Sequence, residues 1–314
     1  MTALEKKMTF SQKRQKVMRK LWKMRYAYLM LLPVIIYFAL FKYWPMYWLR
    51  MAFYDFKVLR GFDGSKFVGL KHFIRFFEST DFWMLLTNTL SINFSVLFFV
   101  FPVPIIFALL LNEVQHAPFK KAIQTVSYLP YFISTMIVVA MINTLLSPSV
   151  GIVNRVIKMM GGEAIYFMGS EKYFRPVYIL SAIWQNTGWS AIVYLSALTA
   201  IDPTLYEAAI VDGAGRMRQV WHITLPGIRS TIIIMFILQL GKIMNVGFEK
   251  VYLLQNPLNL GASEVISTYL YKKGIINANY SYSTAIGLFN AVINFGMVLI
   301  SNTISRKVGE ISMW

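Results

Sequence analysis

The chain alternates between long apolar segments and shorter polar ones along most of its length. A membrane core about 30 Å thick needs about 20 apolar residues of helix, and six segments reach that length. Each is a continuous apolar run rather than a strand-length pattern of alternating polarity, which favours helices over a barrel. The pattern therefore predicts an all-α polytopic membrane protein with six transmembrane helices. The predicted spans are residues 26–48, 85–111, 122–146, 177–201, 230–254 and 282–304.

Basic residues at the start of the chain predict how these spans are oriented. Nine lysines and arginines lie between Lys6 and Arg25, immediately before the first span. Because such residues near a span resist translocation, we expect this segment in the cytoplasm, against anionic lipid headgroups. An even number of spans then places both termini in the cytoplasm. The cytoplasmic loops become 112–121 and 202–229, and the outer loops become 49–84, 147–176 and 255–281.

Composition favours one membrane domain over a soluble protein. Hydrophobic residues make up 57% of the chain and charged residues 14%, whereas soluble domains contain about 25% charged residues. The net charge is +17, and nine of the 31 basic residues lie just before a span, so we expect the lipid bilayer and no nucleic acid as the partner of this charge. The absence of cysteine excludes disulfides, thiolate metal sites and a cysteine nucleophile. We divide the chain into a cytoplasmic tail 1–25, a membrane domain 26–306 and a cytoplasmic tail 307–314.

The polar loop 202–229, between the fourth and fifth spans, is predicted to form a helical hairpin. Asp202 before Pro203 is typical of a helix start, with aspartate as the N-cap and proline in the first turn. The first helix is expected to end near Asp212, because the glycines at 213 and 215 allow a sharp turn. A second helix is expected over 216–224, with a proline and a glycine to stop it. The pattern predicts a rigid element that stands off the membrane.

Side chains of the first helix suit contact with a partner protein. Ala208 and Ala209 have little bulk, so another surface can approach the backbone closely. Leu205 and Tyr206 offer an apolar knob for a groove, and Glu207 can either take a cation from a partner or cap the hairpin itself. Such an element transmits force because it is short and braced at both ends. The alternative is a well-capped cytoplasmic hairpin that contacts nothing.

Polar residues inside three spans are candidates for a polar solute path, because ionisable groups are costly there. Lys242, Asn245 and Glu249 are spaced to share one face of the fifth helix. At 1.5 Å per residue, Lys242 would lie about 18 Å and Glu249 about 29 Å from its cytoplasmic end. Amides, carboxylates and aromatic faces suit a polar solute, although Asn and Gln also form interhelical hydrogen bonds. Further candidates are Trp184, Gln185, Asn186 and Trp189 in the fourth span and Asn290 and Asn294 in the sixth.

Two outer loops carry apolar residues at helical spacing. They are Ile152, Val153, Val156 and Ile157 in one loop and Val265, Ile266, Tyr269 and Leu270 in the other. Each pattern fits either a helix that lies on lipid headgroups or a docking surface for an extracellular partner. Both interpretations remain open for both loops.

The hairpin pattern, Glu207-Ala208-Ala209 with Gly213 and then Ile223-x-Leu225-Pro226, resembles the cytoplasmic coupling loop of ABC importer permeases. Other stretches are similar to the carbohydrate-uptake branch, the oligosaccharide or polysaccharide permeases that work with a solute-binding lipoprotein. These stretches are 31–53, 101–114, 124–134, 146–154, 245–254 and 280–290. The similarity runs from about residue 25 to Trp314.

This resemblance implies a type I importer permease of a bacterial cytoplasmic membrane that moves oligosaccharides by alternating access. It implies three partners: a second homologous permease, an ABC ATPase dimer and an extracytoplasmic solute-binding protein. The chain itself has no phosphate loop, since Gly241-Lys242 is followed by Ile243. We therefore expect no cofactor and no enzymatic activity here, with ATP and Mg bound by the ATPase. The implied coupling residues are Leu205, Tyr206, Glu207, Ala208, Ala209, Asp212, Gly213, Ala214, Ile223, Leu225 and Pro226.

Two other classes of function fit the sequence less well. An ion-coupled secondary transporter or channel would need carboxylates or histidines deep in several spans, but His72, His116 and His222 all fall in loops. A membrane enzyme such as a glycosyltransferase would need clustered carboxylates or histidines that face one compartment, and no such spacing occurs. The sequence does not name the sugar, although Lys242 and the basic outer loops suit an acidic oligosaccharide.

Overall fold

The computed structural model describes residues 22–309 of the chain. Residues 1–21 and 310–314, which make up most of the two predicted cytoplasmic tails, lie outside the described residues. The helices are α1 Arg25–Phe38, α2 Lys71–Phe77, α3 Phe82–Asn112, α4 Ala117–Tyr128, α5 Thr135–Leu145, α6 Ile152–Met159, α7 Glu171–Leu198, α8 Pro203–Val211, α9 Arg216–Gly227, α10 Arg229–Leu240, α11 Phe248–Leu254, α12 Leu260–Ser263, α13 Ile266–Tyr271 and α14 Tyr280–Gly309. The strands are β1 Tyr54–Lys57 and β2 Gly61–Phe67.

Helices dominate the described residues and several are suited to a membrane. Helix α1, with a helical extension to Phe53, α3 and α14 are each long and apolar enough to cross one. Two bent helix pairs raise the number to five at most. Helix α7 is long enough at 28 residues, about 42 Å, but Gln185 and Asn186 make its centre polar. The structure thus confirms a helical membrane protein, and the six-span count stays a prediction.

The third predicted span is not one straight helix. The chain between α4 and α5 turns by 97° after a short 3-10 segment, Leu129–Phe132. Pro130 lies in this segment and donates no backbone hydrogen bond, which weakens the helix at that point. Ser134 then caps α5, and its hydroxyl accepts a hydrogen bond from the amide of Ile137. The expectation of a continuous helix over 122–146 is therefore wrong.

The fifth predicted span is broken near its middle. Helix α10 ends at Leu240, residues 241–247 are not helical, and α11 begins at Phe248. A side chain at Gly241 would meet Val298 of α14, its Cβ lying 2.6 Å from that valine, so the segment is pressed against α14. The continuous helix over 230–254 is therefore wrong. The two heights calculated from it for the candidate path residues are wrong as well.

The first outer loop departs from the all-α expectation, because β1 and β2 form a two-stranded antiparallel sheet. Tyr54 lies opposite Phe67 and Asp55 opposite Lys66. Asp55 also binds Lys71 of α2, with 2.7 Å between Oδ2 and Nζ, and this hydrogen bond lowers the pKa of Asp55. The sheet is thereby attached to α2.

The two outer-loop helices differ in exposure. Helix α6 forms where predicted and leaves Ile152 and Val156 exposed, so a lipid or a protein contact remains open there. Helix α13 is different: Val265 and Ile266 are fully buried and Tyr269 nearly so. Both predictions for that loop are therefore wrong, because its apolar face packs inside this chain.

Helix α7 connects the two ends of the bundle. Near its start, the guanidinium of Arg175 donates to Asn88 of α3, at 2.9 Å, and Asn88 donates to the carbonyl of Glu264 at 3.0 Å. Near its end, Leu198 packs with Ile228, which follows the hairpin. The segment around α12 and α13 and the hairpin α8–α9 therefore lie at opposite ends of α7.

Candidate functional sites: the hairpin and the broken helix

The hairpin of α8 and α9 begins and turns as the sequence predicts. The Asp202 carboxylate accepts a hydrogen bond from the amide of Thr204 at 2.9 Å, and this bond lowers the pKa of Asp202. Gly213 follows α8 with φ of +72°, a left-handed conformation that glycine adopts without strain. Gly215 has an ordinary φ of −68° and precedes α9. Only Gly213 thus requires glycine at the turn, and α9 runs on to Gly227 instead of ending near 224.

Hydrogen bonds brace the two arms of the hairpin against each other. The hydroxyls of Tyr206 in α8 and Thr224 in α9 lie 3.1 Å apart. At the turn, Gln219 donates to the carbonyl of Ala214 at 2.8 Å, and the amide of Ala214 donates to Ala209 at 2.8 Å. Tyr206 therefore serves as a brace, and of the pair proposed as an apolar knob only Leu205 stays exposed.

We expect Tyr206→Phe to loosen this brace, because it removes one of the two hydroxyls. The loss of one neutral hydrogen bond should destabilise the hairpin by about 0.5–1.5 kcal/mol. Faster hydrogen exchange of the α8 amides, measured by mass spectrometry, would report it. Tyr43→Phe, at an exposed tyrosine of the α1 extension, is the matched control. Equal exchange in both variants would contradict the bracing role.

The hairpin stands on a packed base. A Cβ at Gly227 would lie 2.7 Å from the side chain of Ile201, so the two ends of the hairpin are in close contact. Ile228, fully buried, continues this contact into a core with Ala191 and Leu198 of α7 and Ala108 of α3. The hairpin therefore cannot swing freely about its ends.

The surface of the hairpin exposes large apolar side chains among charged ones. Its exposed large side chains are Leu205, Ile210, Val211, Met217 and Trp221. Glu207 is exposed and makes no ion pair or capping bond within residues 22–306, so the predicted capping role is wrong. The other coupling candidates divide into exposed residues, Ala208, Asp212, Gly213 and Pro226, and partly buried ones, Ala209, Ala214, Ile223 and Leu225. Exposed apolar patches are typical of protein–protein or membrane contacts.

Two of the four α7 candidates, Gln185 and Trp189, contact the bend between α4 and α5. Gln185 donates to the carbonyl of Ile133, at 3.3 Å, and thereby satisfies an acceptor that the bend leaves open. Trp189 stacks on Tyr131 with ring centroids 4.7 Å apart and an interplanar angle of 6°. Asn186 instead donates to its own helix at Ala182. Trp184 is exposed by 46% and remains available to a solute or a second subunit.

The α14 candidates hold the broken segment 241–247. Asn290 donates to the side chain of Asn245 at 2.8 Å. Asn294 accepts from the amide of Met244 at 3.0 Å, a group that a continuous helix would have satisfied. Both asparagines are buried. They therefore show the interhelical hydrogen bonding that was the alternative to lining a path.

The three candidates of the fifth span do not share a helix face, because the break separates them. Lys242 and Asn245 lie in the non-helical segment and Glu249 in α11, and all three are exposed in this chain. A broken helix presents backbone groups as well as these side chains to a solute. The three residues remain candidates for the solute path, but the argument from helical spacing is wrong.

The sequence predicts no site role for Lys250, which lies next to this break. Its side chain is only 8% exposed, and its ammonium lies 3.3 Å from Gln185 Oε1 and 5.6 Å from the ring centre of Tyr178. No carboxylate pairs with it among residues 22–306. The signal available was its position one residue after Glu249 in a span, where any cation is costly.

Comparison with known proteins agrees with this architecture. Residues 100–310 match the model of the family described as binding-protein-dependent transport system inner membrane component. A Bacillus subtilis (strain 168) protein, the polygalacturonan/rhamnogalacturonan transport system permease protein YteP, is 49% identical over 95% of this chain and 93% of its own length. Protein LplB of the same organism is 45% identical over 91% and 90%.

A solved structure is similar as well. The bacterial alginate ABC transporter, in complex with an alginate pentasaccharide-bound periplasmic protein, contains a chain that superimposes with a TM-score of 0.86. That chain is 42% identical, and the match covers 94% of this chain and 99% of the other. These relatives are transport permease components rather than enzymes. The chain therefore belongs to the family of binding-protein-dependent transport system inner membrane components, as a permease of the sugar ABC transporter kind.

Proposed function

We propose that this chain forms half of the membrane pathway of an ATP-driven importer for acidic oligosaccharides. A second homologous permease forms the other half, an ABC ATPase dimer binds both, and an extracytoplasmic protein delivers the substrate. Both termini lie in the cytoplasm, on the side of the ATPase. The braced hairpin of α8 and α9 carries this proposal.

Three features of the hairpin support a coupling role. Its arms are joined by the Tyr206–Thr224 contact, its base is packed on α7, and its outer surface exposes Leu205 and Val211. A partner that moves this surface therefore moves α7 and α10, because the joint between them and the hairpin is buried at Ile228. ATP-driven closure of the ATPase would turn the pathway outward and hydrolysis would return it inward.

The break in the fifth predicted span supports a location for the substrate path. Residues 241–247 leave helical geometry, with Gly247 beside Tyr178 of α7, and Lys242 and Asn245 remain exposed there. Irregular backbone at membrane depth is tolerated where it lines a cavity or is covered by protein. We place the substrate path along this segment, with Trp184 of α7 as the exposed aromatic face.

Positive charge near the break, together with the names of two relatives, supports an acidic substrate. YteP is named for polygalacturonan and rhamnogalacturonan, and the solved relative for alginate. Lys242, exposed at the break, and the buried Lys250 give this region two cations. A carboxylated sugar would compensate them, whereas a neutral sugar would not.

We expect Lys242→Ala to reduce uptake of a galacturonate oligosaccharide about tenfold or more, because a charge-assisted hydrogen bond is worth about 1.5–3 kcal/mol. Uptake of a neutral oligosaccharide of equal length, by the same reconstituted transporter, should change little. Lys57→Ala, on the exposed end of β1, is the matched control. Equal loss for both substrates, or no loss, would contradict the charge argument.

Reconstitution tests the proposal as a whole. Proteoliposomes that contain both permeases, the ATPases and the binding protein should take up galacturonate oligosaccharide only with ATP inside. An ion gradient without ATP should support none. Uptake that follows the gradient, or that needs this chain alone, would favour the secondary transporter or channel instead.

A further inference from the structure

A cavity of about 780 Å³ lies between α2, α13 and the start of α14, within the range of about 300–1,000 Å³ typical of small-molecule sites. Three cations line it, Lys71, Arg75 and Lys273, together with one carboxylate, Glu78. Its other polar residues are Ser79, Tyr269, Asn279 and Tyr282. The cavity is thus basic, with hydroxyls and an amide beside the cations.

This cavity is remote from the hairpin. Helix α13 follows Glu264, whose carbonyl accepts from Asn88 next to the Arg175 end of α7. The hairpin follows the other end of α7, about 42 Å away along the helix axis. If the hairpin faces the cytoplasm, the cavity faces the outside, where the substrate arrives.

The cations of this region fall into two groups. Lys71 is paired with Asp55 at 2.7 Å, and Lys272 with Glu264 at 2.6 Å. Arg75 and Lys273 pair with no carboxylate within the part of the chain that the structure describes, and Glu78 leaves both of them free. Two cations in one cavity therefore remain uncompensated, whereas Lys71 and Lys272 beside them are paired.

The free cations are held in place by two buried tyrosines. The guanidinium of Arg75 lies 4.9 Å from the ring centre of Tyr282, and the ammonium of Lys273 lies 5.0 Å from that of Tyr269. Burial, with Tyr282 and the Asp81 carboxylate nearby, raises the pKa of Tyr269, so its hydroxyl stays neutral. Cation–π contact fixes each side chain but uses none of its N–H donors. The donors are left for a ligand.

The cavity also continues beyond these residues. A second cavity of about 370 Å³ shares Tyr269 and Lys273 with it, and the Glu264–Lys272 ion pair, Ile276 and Asn277 line the rest. Lys273 thus borders both cavities. An extended ligand with repeated charges fits this arrangement better than a single small anion.

We propose that this cavity binds carboxylated sugar units of the substrate before they enter the membrane pathway, with Arg75 and Lys273 on the carboxylates. Sugar hydroxyls would meet the side-chain amide of Asn279. The inference rests on the proposed import of acidic oligosaccharides and adds a second, outer position for them.

The test is a binding titration on the complete transporter in zwitterionic nanodiscs without the binding protein. The probe is a galacturonate tetrasaccharide, with its fully methyl-esterified form as the uncharged match. The double variant Arg75→Gln, Lys273→Gln should weaken binding of the acid about tenfold or more. The double variant Lys57→Gln, Lys66→Gln removes two exposed cations of the neighbouring strands and should leave it unchanged. The wild type should bind the ester about tenfold more weakly than the acid.

Three results would overturn the inference. The first is equal affinity of the wild type for the acid and the ester. This comparison uses no variant, so it does not depend on whether a variant folds. Another is equal affinity of the two double variants for the acid. The third is phosphatidylglycerol retained by the wild type but not by the first double variant, with no saccharide bound, which would make the cavity a lipid site. Failure of wild-type uptake would contradict the proposed function, whereas uptake without binding at this cavity would contradict only the inference.

Discussion

Gly213→Val should uncouple ATP hydrolysis from uptake while the protein remains inserted in the membrane. The residue has φ of +72°, where a side chain costs about 1–2 kcal/mol and a β-branched one more. No atom lies within 4 Å of the added Cβ, so backbone strain and not a clash causes the effect. Relief of that strain breaks the Ala214–Ala209 bond and reorients α8 relative to α9. We expect uptake to fall about tenfold or more while hydrolysis continues.

The neighbouring glycine is the matched control for this prediction. Gly215 also has open space around it, but its φ of −68° and ψ of 163° are ordinary extended values. Gly215→Val should therefore keep uptake near the wild-type level, and Gly213→Asn should keep most of it because asparagine tolerates the left-handed region. Uptake, hydrolysis and membrane content are measured on the same proteoliposomes. Full uptake by Gly213→Val would refute the hairpin as the coupling element.

The hairpin could be predicted almost completely from the sequence because its signals are local. An aspartate before a proline fixes the start of α8, and a glycine after Asp212 fixes the turn, whatever surrounds them. Its internal bracing could not be predicted. The contact between Tyr206 and Thr224 joins residues on separate arms, and only the folded geometry brings the two hydroxyls together.

The spans were harder to predict because hydropathy reports burial in lipid and not helix continuity. A proline at 130 and glycines at 241 and 247 were visible signals for the bend and the break. A proline or glycine interrupts a span only where other groups form hydrogen bonds with the backbone groups that it leaves unpaired. Gln185 does so at Ile133, and Asn294 at Met244. These partners lie tens of residues away in the sequence, so spacing rules could not identify them.

The same lesson applies to the candidate path. Asparagines in spans were assigned either to the path or to interhelical bonds, and the structure shows the second role for Asn290 and Asn294. Lys250, by contrast, is buried without a carboxylate partner among the described residues, which hydropathy alone could not reveal. Its neighbour Gln185 links it to the bend of the third span. The Gln185 side chain thus links the bend between α4 and α5 to α11, the helix that follows the break.

Gly188→Ala should destabilise the protein, although helix propensity alone predicts the opposite. Alanine in place of glycine favours a helix by about 0.8–1.0 kcal/mol. At Gly188, however, the added Cβ would overlap the backbone carbonyl oxygen of Ser127 in α4, which cannot rotate away. Overpacking of this kind costs about 1–3 kcal/mol. The packing cost should win, because separating α4 from α7 also weakens the adjacent Gln185–Ile133 bond and the Trp189–Tyr131 stack.

Gly296→Ala is the matched control, since it makes the same change inside a membrane helix with no atom within 4 Å of the new Cβ. We expect the purified complex to unfold at a lower temperature with Gly188→Ala and at an equal or higher temperature with Gly296→Ala. Uptake should fall with the first variant alone, because the α4–α5 bend beside the proposed path moves when α4 is displaced. Equal unfolding temperatures would mean that α4 and α7 are not in backbone contact. The bend at Ile133 would then lack the support that positions it against Gln185.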